Sequence, residues 1–166
     1  MNVPDTIEGL TELFRKLGAP HPDTWASSQL REGIPQLQRF LWLREAWKCI
    51  IPDDNYEWME LEIKRAEANP GAPYSGVGLA LKHCLGRGVE KEALKEIVRG
   101  KQAQLLFALC YMLDDPTFSE EEVKDLTWGI FQTDQKGGPL AAICGLHESV
   151  LETDPTGREM RPKKGT

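Results

Sequence analysis

Residues 105–113, Leu-Leu-Phe-Ala-Leu-Cys-Tyr-Met-Leu, are nine apolar residues in an unbroken run, and they constrain this chain more than anything else in it. They follow the helix-favouring stretch Glu90 to Gln104 and stop at Asp114-Asp115-Pro116. A helix that is apolar on every side has to be buried on every side. The run is far short of the roughly 20 residues a bilayer crossing needs. It therefore predicts a central helix over about 90–113, buried within a soluble, mainly α, single-domain helical bundle.

The rest of the chain supplies helices to surround it. Ile7, Leu10, Phe14 and Leu17 recur at helical spacing behind a capping Asp5 or Thr6, and Gly18 ends that element. Asp23 or Thr24 opens a short helix to about Glu32. Pro35 suits the first turn of a third, to about Ile51, with Leu37, Leu41, Trp47 and Ile50 on its apolar face and Arg39 on its wetter side. A fourth helix covers Tyr56 to Ala68, with Met59 and Ala66 in its stripe. Tyr74, Val77, Leu81 and Cys84 mark a fifth, in which Gly76 and Gly78 offer a neighbouring helix close approach. Ser119 with Glu122 forms a capping box for a short helix. Beyond it, strand composition around 127–133, a Gly137-Gly138 turn and an apolar return to Cys144 predict a small C-terminal β-hairpin over about 127–144. A short helix from Leu146 to Glu152 follows. The expected organisation is one domain over 1–154 and a polar, loose tail over 155–166.

The net charge of −6 argues against nucleic acid and anionic membrane surfaces, since the only basic clusters are 87–91, interrupted by Glu90, and 161–164. It favours a protein partner, and a basic one. Met1 to Ala19 shows no basic segment leading into an apolar one, so no secretory signal is expected. Cys49, Cys84, Cys110 and Cys144 are widely spaced within apolar surroundings, which suits buried, reduced thiols. The expected location is the cytoplasm.

Two sets of residues are candidates for function. Asp114, Asp115, Glu120 and Glu121 form an acidic stretch, with Trp128 nearby as an aromatic anchor, and read as a docking surface. Acids at a helix C-terminus gain nothing from the dipole, which leaves Asp114 and Asp115 without a local reason to be there. The alternative is an enzyme of unfamiliar type built on Cys144, His147 and Glu148, which bring a nucleophile, a base and an orienting acid into one short segment. Closeness in sequence works against such a triad, because neighbouring side chains rarely converge on one point. A third option is a helical ligand-binding domain with a cavity lined by Tyr74, Leu79 and His83. His147-Glu148 starts like a zinc-protease motif, but Leu151 stands where the second histidine is required. No phosphate loop, dinucleotide fingerprint or calcium loop is present, so neither a metal nor a cofactor is expected. In character alone, the chain resembles small acidic bacterial proteins that neutralise toxins or act as adaptors. The expectation is a protein-binding module, with oligomeric state open.

Overall fold

The structure, a computed structural model, describes residues 3–163. The last residues of the basic cluster and of the tail, 164–166, lie outside the described residues. The chain is mainly α, with seven helices among the described residues: α1 Ile7–Lys16, α2 Pro22–Glu32, α3 Gln36–Trp47, α4 Glu57–Ala68, α5 Ser75–Gly86, α6 Lys91–Asp114 and α7 Leu146–Ser149. Strands β1 Ile130–Thr133 and β2 Pro139–Ile143 form the antiparallel hairpin, pairing Ile130 with Ile143 and Phe131 with Ala142. No helix among the described residues is long and apolar enough to cross a membrane. The described residues group into two compact units, 3–47 with 105–163, and 48–104.

In the first unit, Thr6 caps α1, its Oγ1 accepting from the Gly9 amide at 3.1 Å. Helices α1, α2 and α3 close around Leu10, Phe14, Trp25, Ala26, Leu37 and Phe40. Phe14, Trp25 and Phe40 have ring centroids 5.7–6.0 Å apart, the tilted and edge-on spacings that aromatic quadrupoles favour. The α2–α3 corner is held by Gln29, whose Oε1 accepts from the Leu37 amide at 2.8 Å, and by Gln36 donating to Ser28 at 2.9 Å. Further along α3, the Trp47 indole donates to the Val150 carbonyl at 3.0 Å, tying the segment after α7 to the helical core. Asp154, expected at the edge of a loose tail, is buried and accepts from the amides of Thr156 and Met160 at 3.1 and 3.0 Å.

The sequence placed Arg39 on a wet face, yet it is buried. Its guanidinium lies 5.9 Å from the Trp25 ring centroid and donates to Ser149 Oγ at 2.7 Å and Glu148 Oε2 at 3.4 Å. This explains Gly145 at the start of α7: its φ is +71°, and a Cβ there would sit 2.8 Å from the Arg39 guanidinium.

In the second unit, α4 and α5 cross at Gly78. A Cβ on Gly78 would lie 2.1 Å from the Glu62 carbonyl oxygen and 2.7 Å from the Ala66 Cβ. The close approach expected of the small residues is therefore real at Gly78 and absent at Gly76, which has nothing within 4 Å. The first turns of α6 bury two cations that the periodicity did not reveal. Lys95 donates to the Asp53 carbonyl at 2.7 Å and to Glu92 at 2.8 Å, and Arg99 donates to the Ile51 carbonyl at 2.8 Å. Buried charge is tolerated because each cation finds oxygen partners.

Two local expectations are corrected. Residues 119–125 form successive turns, not a helix; Ser119 donates to its neighbour Glu120, and the segment has no apolar stripe to bury. The hairpin begins at Ile130 and not at 127, because Trp128 is held elsewhere: its indole donates to the Met112 carbonyl at 2.9 Å and its ring meets Phe118 edge-on at 5.0 Å.

Candidate functional site

The nine-residue run is buried on one side only. Leu106 and Cys110, with Ala103 one turn earlier, form the covered side of α6. Leu105, Leu109 and Met112 are 59%, 43% and 46% exposed, and Phe107 and Tyr111 are also exposed. This corrects the expectation of a helix sequestered all round. At 3.6 residues per turn, positions 103, 106 and 110 face one way and 105, 108 and 112 the opposite way. The first set is buried and the second is exposed to water. The result is an apolar face rimmed by charge: Lys101 and Asp115 are exposed at its two ends. A contiguous exposed apolar face on a helix marks an interaction surface more often than chance. Apolar exposure continues on the hairpin, where Phe131 and Leu140 are open to solvent.

The acidic docking set does not stay together. Asp114 turns inward, its side chain 5% exposed, and pairs with His147: Oδ2 accepts from the His147 backbone amide at 3.0 Å and lies 2.6 Å from ring Nδ1. A carboxylate only accepts, so Nδ1 carries the proton of that bond. The ring is clamped edge-on by Tyr111 at 5.1 Å and Phe107 at 6.0 Å. Asp115 stays exposed and accepts from the Tyr111 hydroxyl at 3.4 Å. Glu120 and Glu121 are exposed, with Glu121 paired to Lys124, and Trp128 is the one exposed tryptophan among the described residues.

Cys144, His147 and Glu148 are not gathered into a triad. Glu148 turns to Arg39 and Cys144 is exposed, whereas Asp114, 33 residues away in sequence, orients His147. Among the described residues, Asp114 is the one side chain hydrogen-bonded to the His147 ring. The arrangement supplies an oriented base with no hydroxyl or thiol in hydrogen-bond contact. Cys110, one turn before Asp114 on α6, is fully buried. Burial, reinforced by the Asp114 charge, pushes it up to about 12, so it is an uncharged thiol at neutral pH and a poor nucleophile. Cys49 and Cys144 are exposed, against the expectation of buried thiols.

Tyr74 lines a different cavity from Leu79 and His83. Leu79 and His83 line one of about 390 Å³ with Lys82 and Arg87, and Tyr74 borders another of about 440 Å³. No cluster of three metal-binding side chains occurs among the described residues. Comparison of the chain with protein-family models, with curated proteins and with solved structures found no match.

The sequence could have shown the open face. Lys101, Leu105, Ala108, Met112 and Asp115 recur at spacings of four, three, four and three, the seam of a helix pair. The apolar residues filling every position between Leu105 and Met112 hid that spacing.

Proposed function

We propose that this chain is a protein-binding module whose contact surface is the open face of α6. The observation that carries the reading is the exposure of Leu105, Leu109 and Met112 on a helix whose opposite side is core. Covering half-exposed side chains of this size contributes about 1 kcal/mol each, so the three supply roughly 3 kcal/mol toward association before any polar contact. Charged residues stand at the ends of the face and not within it, the arrangement of an apolar interface core with a polar rim. The net negative charge goes with a protein partner rather than nucleic acid, and the reading places the chain in the cytoplasm.

The test is a photo-crosslinking amino acid at Leu109, introduced in the native cell, with the exposed Glu8 of α1 as control position. Protein adducts at Leu109 and not at Glu8 support the reading. Absence of any adduct at Leu109 overturns it.

The Asp114–His147 pair favours a second reading, in which His147 acts as a general base held in one tautomer by Asp114. The buried Asp114 Oδ1 has no hydrogen-bond partner among the described residues, an uncompensated cost of the kind found at functional sites. Hydrolysis of activated esters by the purified chain, abolished by His147→Asn and reduced by Asp114→Asn, supports this reading. Identical rates for the wild type and His147→Asn remove it.

A further inference from the structure

We infer that the partner on the open face of α6 is a second copy of the chain, docked with the two α6 helices antiparallel about a two-fold axis at Ala108. The inference rests on the protein-binding reading and names its partner. It follows from the order of residues along one uninterrupted helix. Lys101, Leu105, Ala108 and Met112 share one side of α6, all exposed, and Asp115 continues that line, its amide donating to the Tyr111 carbonyl at 2.9 Å as a helical residue would.

A face with a cation at one end, an acid at the other and, between them, apolar residues together with the exposed Gln104, whose Oε1 accepts from Lys101 Nζ at 3.0 Å, complements its own reverse. Turned about Ala108, Lys101 of each copy meets Asp115 of the other, Leu105 lies across from Tyr111, and Leu109 across from Phe107. A parallel pairing would set lysine on lysine and aspartate on aspartate, and like charges brought together oppose association. Shifting the antiparallel axis by one turn slides Lys101 off Asp115 and onto apolar side chains. One register alone satisfies both the charges and the apolar stripe. Ala108, at the axis, is the smallest side chain on the face, so the helices approach most closely where they cross, within the usual interaxial distance of about 8–10 Å. An isologous contact requires such self-complementarity, and two-fold dimers are the commonest soluble assemblies.

Sedimentation equilibrium of the full chain, as wild type, Lys101→Asp, Asp115→Lys and the double exchange, tests this. The wild type is expected to sediment at twice the chain mass of 18.7 kDa. Each single reversal disrupts two symmetry-related pairs and is expected to weaken the dimer by about 5- to 30-fold. The double exchange restores it to within about threefold, a readout that general destabilisation would not reproduce. A wild type that stays monomeric throughout, or single reversals that bind as tightly as the wild type, overturns the inference. The Leu109 crosslink separates the two levels. An adduct of two identical chains supports self-pairing. An adduct with a different protein alone overturns self-pairing and leaves the binding reading standing. No adduct overturns both.

Discussion

Replacing Gly78 by alanine sets two opposed effects against each other, and the structure decides between them. Alanine in a helix interior is favoured over glycine by about 1 kcal/mol. Against that, the new Cβ would stand 2.1 Å from the Glu62 carbonyl oxygen, far inside the 3.0 Å that real Cβ atoms keep. The obstacle is α4 backbone, which cannot rotate away as a side chain would, and the Ala66 Cβ at 2.7 Å blocks the other direction. The two helices must separate. Overpacking of this kind costs about 1–3 kcal/mol, occasionally more, and a clash with backbone belongs at the upper end. The net expectation is a loss of about 2 kcal/mol, or about 4–8 °C in Tm for a chain of this length. Gly76→Ala, in the same helix with nothing within 4 Å, is the matched control and is expected to be neutral or slightly stabilising. Urea and thermal melts followed by circular dichroism compare the two. Equal stability of both variants would refute the close crossing of α4 and α5.

Three further outcomes follow. Cys110 keeps its proton in the folded chain up to about 12, whereas an unfolded thiol titrates near 9. From pH 9 toward 12 the unfolded state therefore binds fewer protons, and folding loses about 1.4 kcal/mol per pH unit through this group. Urea melts at pH 8, 9 and 10 should show the gap between wild type and Cys110→Ala shrinking as pH rises; a constant gap contradicts the burial of this thiol. Thiol labelling at pH 8 without denaturant should modify the exposed Cys144 and spare Cys110. Gly145→Ala, strained at φ +71° and pressed on the Arg39 guanidinium, should lower stability by about 1–2 kcal/mol in the same melts, and an unchanged midpoint would refute the Arg39 packing.

Local structure was legible in this sequence at most places where a local cause acts, the Ser119–Glu122 capping box, behind which no helix forms, being the exception. The Thr6 cap, the glycine stops, the helical stripes and the turn residues of the hairpin all operate within a few positions, and the elements they mark were read to within a few residues. Gly78 was legible as a close approach because a glycine in a helix interior needs a reason. What escaped depends on partners distant in the chain. Arg39 looked wet by periodicity, but Ser149 and Glu148, more than 100 residues away, satisfy its guanidinium. Asp114 looked like a misplaced acid at a helix end; its reason is His147. The nine-residue run was read as buried all round because a hydrophobic pattern records which surfaces avoid water, not what covers them. A face waiting for a partner and a face inside the core carry the same residues.

The two methionines Met59 and Met112 provide the most direct test of that distinction. Met59 is fully buried and Met112 is 46% exposed on the open face. Under a brief hydroxyl-radical pulse, the dilute purified chain should oxidise Met112 well before Met59, and raising the concentration into the dimer range should slow Met112 alone. Met112 as protected as Met59 in the dilute chain, or oxidised at one rate at every concentration, would contradict the account.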